Sequence, residues 1–239
     1  MGLTDPANNL SEDHARRVRE MFAQISGRYD LLNHLLSANI DRRWRKVVAR
    51  KLQPLLPPGS TVLDVACGTG DLCIELFESA NAQVIGADFC RPMLELATRK
   101  APRISFVEAD ALRLPFPDAS FAAVTIAFGL RNLASVEGGL RELRRVLKPE
   151  GWLAILEFSR PQRPGFRALV EAYSQRLLPR IGGWISGSRS AYAYLPDSVS
   201  RFPDQVRLAE MMRAESFANV AFEDLTGGVA ALHMGQRPD

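Results

Sequence analysis

The chain has 239 residues, 46% of them hydrophobic and 24% charged, which is typical of a globular protein long enough to bury a full core. Its net charge of +3 is too small to argue for nucleic-acid binding. Three cysteines without a Cys-x-x-Cys pair argue against a disulfide framework and a zinc site, so no metal is expected. The polar start Met1–Leu10 and the lack of a long apolar run predict neither a secretory signal nor a membrane span, which favours a cytoplasmic protein.

The predicted elements alternate between strand and helix after a helical preface. Residues 12–52 are expected to be helical, with breaks near Gly27 and Ser37. The strands predicted next are short apolar runs, at 61–66, 83–88, 105–108, 122–127 and 152–158. Helices are predicted between them, at 71–79, from Pro92, and from Ser135 along an apolar stripe that ends at Leu147.

The last part of the chain is predicted to begin with a turn at Lys148–Gly151 and to end in a hairpin. A helix with Phe166 to Leu177 on one face is followed by a Gly- and Ser-rich loop at 182–190, and 217–225 pairs with 229–234. This order predicts an α/β fold with a doubly wound, mostly parallel sheet of seven strands and an antiparallel hairpin at one edge. Ligands of such sheets bind at the carboxyl ends of the strands.

The most informative local pattern is the run from Thr61 to Asp71 together with Asp88. A buried strand leads into Cys67-Gly-Thr-Gly-Asp71, where Gly68 and Gly70 let a ligand approach the backbone. Asp88 closes the next apolar run at the spacing where an acidic residue meets the ribose hydroxyls of a nucleotide-like cofactor. We therefore expect a nucleoside-type cofactor; the alternative is a glycine turn that binds nothing.

Two positions favour S-adenosylmethionine over a dinucleotide. The third glycine of a dinucleotide fingerprint is replaced by Cys73, and Asp71 at the start of the next helix would repel a pyrophosphate. S-adenosylmethionine has no phosphate and carries a sulfonium and an amine. We expect Asp64 and Asp71 to face its cationic part and Asp88 to accept hydrogen bonds from its ribose.

Motifs outside this loop resemble those of the quinone-biosynthesis C-methyltransferases, which methylate demethylmenaquinol and, in some bacteria, a ubiquinone precursor. The resemblance extends from about Arg19 to Gly235. Its motifs include Tyr29-Asp-Leu-Leu-Asn33, Phe128-Gly-Leu-Arg-Asn132, Arg145-Val-Leu-Lys-Pro149, Glu157-Phe-Ser159 and Phe202-Pro-Asp-Gln205. The chain departs from the family pattern at Asp41, where a histidine is usual, and at Glu150, where glycine is usual.

The resemblance implies a Rossmann-like class I methyltransferase that uses S-adenosylmethionine. It implies one domain over 1–239, with a helical preface to about residue 53 and a substrate-covering insertion near 160–205. The cofactor-binding residues expected from the loop and the resemblance are Asp64, Gly68, Thr69, Gly70, Asp88, Asp110 and Ala111. For Asp110 the expected partner is the adenine amino group; the alternative is an acidic residue that begins a helix.

The chemistry implied is methylation of a ring carbon, which is a poor nucleophile unless the acceptor is the reduced quinol. Arg131 and Asn132 are the candidate catalytic residues that would stabilise the developing phenolate, with Tyr29 as a third. Arg131 stays protonated and cannot be the base; its alternative interpretation is a surface ion pair. For Tyr29 the alternative is core packing. The proton acceptor stays unassigned between His34, His233 and other groups.

The function predicted is conversion of demethylmenaquinol to menaquinol in menaquinone biosynthesis. One alternative is methylation of the 2-polyprenyl-6-methoxy-1,4-benzoquinol intermediate of ubiquinone biosynthesis, alone or in addition. An alternative of another class is a non-catalytic quinone- or lipid-binding protein on the same fold. The intact Asp64, Gly68, Gly70 and Asp88 argue against the last. The expected partner is a small-molecule polyprenyl quinol.

A polyprenyl substrate raises the question of membrane contact, and the basic segment 41–52 bears on it. On a helical wheel Trp44, Val47, Val48 and Leu52 cluster, opposite most of the basic residues. Such a helix either lies on the inner membrane surface or packs Trp44 on the domain and exposes its charges. We favour packing, because most helices bury their apolar face.

Overall fold

A computed structural model describes residues 16–27, 37, 39–79, 82–173 and 189–239. Its helices are α1 (16–27), α2 (Ile40–Leu52), α3 (Asp71–Ser79), α4 (Arg91–Lys100), α5 (Val136–Val146), α6 (Pro164–Ala172), α7 (Arg189–Arg201) and α8 (Gln205–Ala214). Its strands are β1 (Thr61–Val65), β2 (Gln83–Asp88), β3 (Ser105–Glu108), β4 (Phe121–Ala127), β5 (Leu147–Phe158), β6 (Ala218–Leu225) and β7 (Ala230–Gln236). Short 3-10 turns lie at Leu130–Asn132 and Thr226–Gly228.

The described strands form one sheet in the order β3-β2-β1-β4-β5-β7-β6. The pairs β1–β2, β2–β3, β1–β4 and β4–β5 are parallel, whereas β5–β7 and β7–β6 are antiparallel. The predicted doubly wound sheet with a hairpin at one edge is therefore confirmed. The winding direction changes between β1 and β4, and the crevice at the carboxyl ends of these strands is where such folds bind ligands.

Hydrophobic cores lie on both faces of the sheet, because successive strand residues point to opposite sides. On one face Leu63 of β1 packs with Leu140 of α5 and Met212 of α8. On the other face Val62 packs with Leu52 of α2 and with side chains of α3. A central parallel strand covered on both faces explains why β1 is an almost continuous apolar run. Among the described helices, none combines the length and hydrophobicity needed to cross a bilayer.

The placement of Leu147 in the helical stripe is wrong, because strand β5 already begins at Leu147. The predicted turn over Lys148–Gly151 is present as an irregularity within this strand, where the register with β4 shifts and Glu150 has a φ of 61°. The Glu150 N–H donates to the Arg237 carbonyl at 2.8 Å, and the Arg237 N–H donates to the Gly151 carbonyl at 2.9 Å. These two bonds to the chain after β7 keep the segment within the sheet.

Sequence patterns predict neither α7 nor α8. The predicted loop at 182–190 overlaps α7 from Arg189 onward, and its residues 182–188 lie outside the described residues, as does Leu177. Pro196, which lies inside α7, is a residue that normally ends a helix and so hides this one. Asp204 caps α8 by accepting the Arg207 N–H at 2.9 Å, a signal that was readable in the sequence. The predicted cap of α5 is confirmed, since the side chain of residue 135 accepts the N–H of residue 138.

Candidate active site

The loop between β1 and α3 is a tight turn at the carboxyl edge of the sheet. Ala66, Gly68 and Gly70 have positive φ angles of 52°, 56° and 81°. A Cβ atom on Gly70 would lie 3.1 Å from the Phe106 ring, so conformation and space both require glycine there. The Gly70 N–H donates to the Cys67 carbonyl at 2.9 Å, which closes the turn. The two predicted glycines therefore shape the start of α3.

Asp88, at the end of β2, holds this loop through its carboxylate. Its Oδ2 accepts the Gly68 N–H and its Oδ1 accepts the Cys90 N–H, both at 2.8 Å. The side chain is 5% exposed, and burial raises its pKa to about 6 despite the backbone N–H groups that lower it. A carboxylate has about four acceptor positions, so Asp88 retains capacity for a ligand. Hydroxyl groups of a ligand would restore part of the solvation that burial removes.

Asp64 lies behind the loop in β1 and is 1% exposed. It accepts the Thr125 hydroxyl at 2.6 Å and the Cys73 thiol at 3.2 Å. Burial raises the pKa of Asp64 to about 6, against the lowering effect of these two bonds. Cys73, at the third position of the glycine pattern, thus serves as a donor to the buried acid. All three cysteines are free, and Cys73 and Cys90 are buried as predicted for small packing residues.

Asp71 and Thr69, in the same loop, contact basic side chains of the protein. The Lys100 Nζ lies 2.5 Å from Asp71 Oδ1 and 3.4 Å from the Thr69 hydroxyl. Arg45 of α2 lies 3.5 Å from the other oxygen of Asp71. The charge of Asp71 is therefore balanced within the protein, and Asp71 would attract a cationic ligand less than an unpaired carboxylate would.

Asp110 and Ala111 follow β3 at the same edge of the sheet. The Asp110 Oδ1 accepts the Leu112 N–H at 2.9 Å, and its carbonyl accepts the Arg113 N–H at 2.9 Å. These bonds form a turn, so the alternative that Asp110 begins a helix is wrong. Ala111 is 8% exposed and belongs to the core. The loops after β1, β2 and β3 thus present the predicted cofactor residues along one edge.

Arg131 and Glu157 form an ion pair on the β4–β5 side of this edge. Arg131 Nη1 lies 2.6 Å from Glu157 Oε1, and the two side chains are only 7% and 2% exposed. Nη1 also donates to the Phe128 carbonyl at 2.5 Å, and the guanidinium lies 5.3 Å from the centre of the Phe158 ring. The Nε–H is buried and has no acceptor among the described residues. The ion pair anticipated as an alternative exists, but its predicted surface location is wrong.

Asn132 is held between Phe128 and a residue that sequence patterns missed, Tyr194 of α7. The Tyr194 hydroxyl donates to Asn132 Oδ1 at 3.0 Å, and Asn132 Nδ2 donates to the Phe128 carbonyl at 3.3 Å. Phe128 has a φ of 57°, a conformation that costs a non-glycine residue about 1–2 kcal/mol. Its carbonyl serves both Arg131 and Asn132, so backbone strain accompanies the convergence of these side chains.

A cleft of about 150 Å³ opens beside Arg131. Its walls come from the 3-10 turn Leu130–Asn132, from the start of α5, from α7 and from the turn after α7: Arg131, Val136, Tyr194, Asp197, Ser198, Arg201, Phe202 and Pro203. The α7 residues were missed because that helix was not predicted. A larger open depression of about 450 Å³, between α4 and β3, contains none of the predicted site residues.

Trp44 of α2 packs beneath this part of the site and is 5% exposed. Its indole N–H donates to the Thr226 hydroxyl at 2.9 Å. Its ring lies 6.0 Å from Phe128 and 6.2 Å from Phe158 between centroids, the second contact edge-to-face. The favoured prediction that Trp44 packs on the domain is therefore confirmed.

The basic side of α2 is exposed except at one position. Arg42, Arg43 and Lys46 are exposed, whereas Arg45, predicted on that side, is buried and pairs with Asp41 at 2.5 Å. Asp41, where the family usually has a histidine, thus serves as a buried counter-ion in the first turn of the helix. The helix presents charge to solvent, while its apolar side is covered by the domain.

The proton acceptor stays unassigned among the described residues. Tyr29 and His34 lie outside the described residues. His233 is 2% exposed, its Nε2 lies 2.8 Å from the Gln205 carbonyl, and burial lowers its pKa, so the ring stays neutral. It packs on Phe222 with centroids 5.4 Å apart, as a structural histidine does. Over the described ranges, no group of three or more His, Cys, Asp or Glu side chains could hold a metal.

Comparison with known proteins places this site in a family context. The model of the ubiE/COQ5 methyltransferase family matches residues 10–237. A demethylmenaquinone methyltransferase of Deinococcus radiodurans is 49% identical over 95% of both chains, and one of Thermus thermophilus is 51% identical over 91% of this chain and 100% of its own length. A ubiquinone/menaquinone biosynthesis C-methyltransferase UbiE of Geotalea uraniireducens is 42% identical over 94% of this chain and 98% of its own length.

Solved structures of low sequence identity share the fold. The [4+2]-cyclase SpnF superimposes with a TM-score of 0.69 at 18% identity, covering 94% of this chain and 96% of its own. An S-adenosylmethionine-dependent methyltransferase of Thermotoga maritima, described as a possible histamine N-methyltransferase, gives 0.64 at 17% identity, covering 91% and 99%. These likenesses concern architecture alone, since one fold carries different reactions.

Proposed function

Because the chain belongs to the ubiE/COQ5 methyltransferase family, and so is an S-adenosylmethionine-dependent methyltransferase, we propose that it converts demethylmenaquinol to menaquinol. The relatives named for demethylmenaquinone span almost the whole chain. The observation that carries the proposal is the buried Arg131–Glu157 pair, whose arginine also lines a cleft.

The loop after β1 fits the proposed methyl donor. When bound, S-adenosylmethionine supplies an electrophilic methyl group. Asp88 retains acceptor positions for ribose hydroxyls, and at neutral pH both Asp88 and Asp64 are ionised, because their pKa values of about 6 lie below it. We assign binding of the adenine to Asp110 and Ala111. We further propose that the cofactor lies against the backbone of Gly68, Thr69 and Gly70.

The acceptor side supplies the charge that a quinol needs. A ring carbon becomes nucleophilic when electron density moves into the ring from an ionised or strongly hydrogen-bonded hydroxyl. Arg131 stays protonated, and Glu157 holds it in place, so it would stabilise a phenolate oxygen with little reorganisation. Asn132 retains one amide N–H for the same oxygen or its neighbour. We also retain Tyr29 as a candidate in this group.

We treat the chain as one domain and assign its insertion near residues 160–205 to covering the methyl acceptor. Four residues of α7 line the cleft beside Arg131, which supports this role for the region near 160–205. Holding two reactants together in a cleft of this kind is itself a large source of rate.

A second acceptor requires a direct test because several relatives are named for both quinones. That candidate is the 2-polyprenyl-6-methoxy-1,4-benzoquinol intermediate of ubiquinone biosynthesis. The same Arg131 and Asn132 donors would serve it, since it too carries phenolic oxygens around the methylated carbon.

We place the protein in the cytoplasm. The alternative is that it also contacts the inner membrane surface, held there only by electrostatic attraction. The apolar side of α2 is covered, so Arg42, Arg43 and Lys46 would act on anionic lipid by salt-sensitive attraction. Binding to anionic liposomes that is lost when these three residues are neutralised would establish the contact. Absence of binding at low salt would dismiss it.

Quinone analysis in cells lacking this protein tests the proposed function. We expect mass spectrometry to show that these cells accumulate demethylmenaquinone. Expression of the wild-type gene or of an Asp118→Ala control should remove this accumulation, whereas expression of Arg131→Ala should not. Accumulation of the unmethylated benzoquinone precursor would show the second acceptor. An unchanged quinone pool would contradict the proposal and favour a non-catalytic quinone-binding role.

A further inference from the structure

Helix α7 turns one face toward the cleft beside Arg131. The cleft-lining residues Tyr194, Asp197, Ser198 and Arg201 stand at positions i, i+3, i+4 and i+7, which share one side of a helix. Within that face, Asp197 and Arg201 pair with each other at 2.8 Å. Tyr194 is the member whose hydroxyl donates to Asn132.

The bond from Tyr194 determines which way the Asn132 amide points. Asn132 Oδ1 accepts the Tyr194 hydroxyl, and Nδ2 donates to the Phe128 carbonyl. If the amide were reversed, Asn132 Oδ1 would face the Phe128 carbonyl oxygen. Two hydrogen-bond acceptors would then lie opposite each other without a donor between them. In the observed orientation one of the two amide N–H groups is used, and the other is available to a ligand.

Arg131 is constrained in the same manner by the same carbonyl. Its Nη1 is bound to Glu157 and Phe128, while its buried Nε–H has no acceptor among the described residues. Arg131 therefore brings a fixed positive charge to the wall of the cleft of about 150 Å³, and the neighbouring Asn132 is bonded to Tyr194, which lines the same cleft. A ring oxygen that gains negative charge would be attracted to this guanidinium and would accept the second N–H of Asn132.

We propose that Tyr194 is a positioning residue for the methyl acceptor: it fixes the Asn132 amide so that its free N–H, together with Arg131, meets a phenolic oxygen of a dihydroxylated aromatic ring. This inference rests on the proposed function. It adds to that function the residue that orients Asn132, which with Arg131 binds the oxygen of the methyl acceptor. Burial raises the pKa of Tyr194, so its hydroxyl remains a donor and does not compete as a base.

The first test is a double-mutant cycle on labelled methyl transfer to demethylmenaquinol. We expect Tyr194→Phe to lower kcat about 3–10-fold, the worth of one neutral hydrogen bond, with cofactor affinity and melting temperature unchanged. Asn132→Ala should lower kcat further, and adding Tyr194→Phe to it should change nothing more. Ser120→Ala, which removes a hydroxyl that donates to the Pro117 carbonyl and does not line the cleft, is the control and should leave kcat unchanged. Independent, multiplying losses at Tyr194 and Asn132 would overturn the positioning role.

A second test needs no methyl transfer. A tailless naphthohydroquinone is titrated with base under anaerobic conditions while bound to the protein, and its phenolate absorbance is followed. The donor pair should lower the apparent pKa of the bound ring, and Tyr194→Phe should raise it by about 0.5–1 unit, the same 3–10-fold. Identical titrations in wild type and Tyr194→Phe would overturn the inference, whereas an inactive wild-type enzyme would overturn the proposed function alone.

Discussion

Replacing Asp88 should weaken S-adenosylmethionine binding. The carboxylate accepts the N–H groups of Gly68 and Cys90 and, in our proposal, the ribose hydroxyls. A hydrogen bond to a charged acceptor contributes about 1.5–3 kcal/mol. Because the two backbone bonds exist with and without ligand, most of their loss cancels in the binding equilibrium. We therefore expect Asp88→Ala to cost about 2–3 kcal/mol, or about 30–150-fold in affinity.

Titration calorimetry well above pH 6 measures this loss directly. Asp88→Asn is the sharper variant, because it keeps the size of the side chain but turns an N–H₂ group toward the N–H of Gly68 or Cys90. Asp118→Ala, which removes a carboxylate that is 74% exposed, is the control and should bind the cofactor normally. Affinity of Asp88→Ala within about twofold of wild type would refute the assignment of Asp88 to the ribose.

Three further predictions concern catalysis, pH and folding. Arg131→Ala should lower turnover about 100-fold or more while cofactor affinity changes less than about twofold, and equal losses in both would show a structural role instead. Burial raises the pKa values of Asp64 and Asp88 from 3.8 to about 6, so cofactor affinity should rise as pH increases through 6, and binding below pH 6 should release protons to the buffer. Calorimetry in buffers of different ionisation enthalpy detects that release, and its absence would contradict the pKa assignment. Asp64 and Asp88 bind protons more tightly in the folded protein than in the unfolded chain. In the unliganded protein, the free energy of unfolding should therefore fall as pH rises from about 4 to about 6. Glu150→Gly should raise the free energy of unfolding by about 0.5–1 kcal/mol in urea titrations, because Glu150 has a φ of 61°. Glu150→Ala keeps the unfavourable φ and should give no gain; equal gains in both variants would exclude backbone strain as the cause.

Sequence patterns predicted the sheet well because its signals are local. Apolar runs, the glycines of the 68–70 turn and the Ser135 cap each act over a few residues, and each was found where predicted. The acidic residue at position 88 was also predictable, since its spacing from Gly68 follows from one strand–loop–helix–strand unit.

The acceptor side was harder to predict because it is built from contacts between distant segments. Arg131 and Glu157 are 26 residues apart, and Asn132 and Tyr194 are 62 apart. Their meeting depends on the order of β4 and β5 and on a helix that Pro196 concealed. Motifs gave the residue types at 131, 132 and 157, but only the folded chain shows that the ion pair is buried.

Burial also explains the misjudged charges of the site. Arg45 looked like a solvent-facing residue on a helical wheel, yet it lies between Asp41 and Asp71. A wheel shows which residues share a face, whereas the neighbouring α3 decides which faces are covered.

Transfer of a deuterium-labelled methyl group by the purified protein tests the central claim most directly. The protein is incubated with labelled S-adenosylmethionine and demethylmenaquinone, either kept reduced or left oxidised, and the quinone product is analysed by mass spectrometry. We expect the label on the ring carbon in the reduced sample alone, and its loss with Arg131→Ala. A wild-type protein that binds the cofactor but labels neither sample, or labels both equally, would contradict quinol C-methylation.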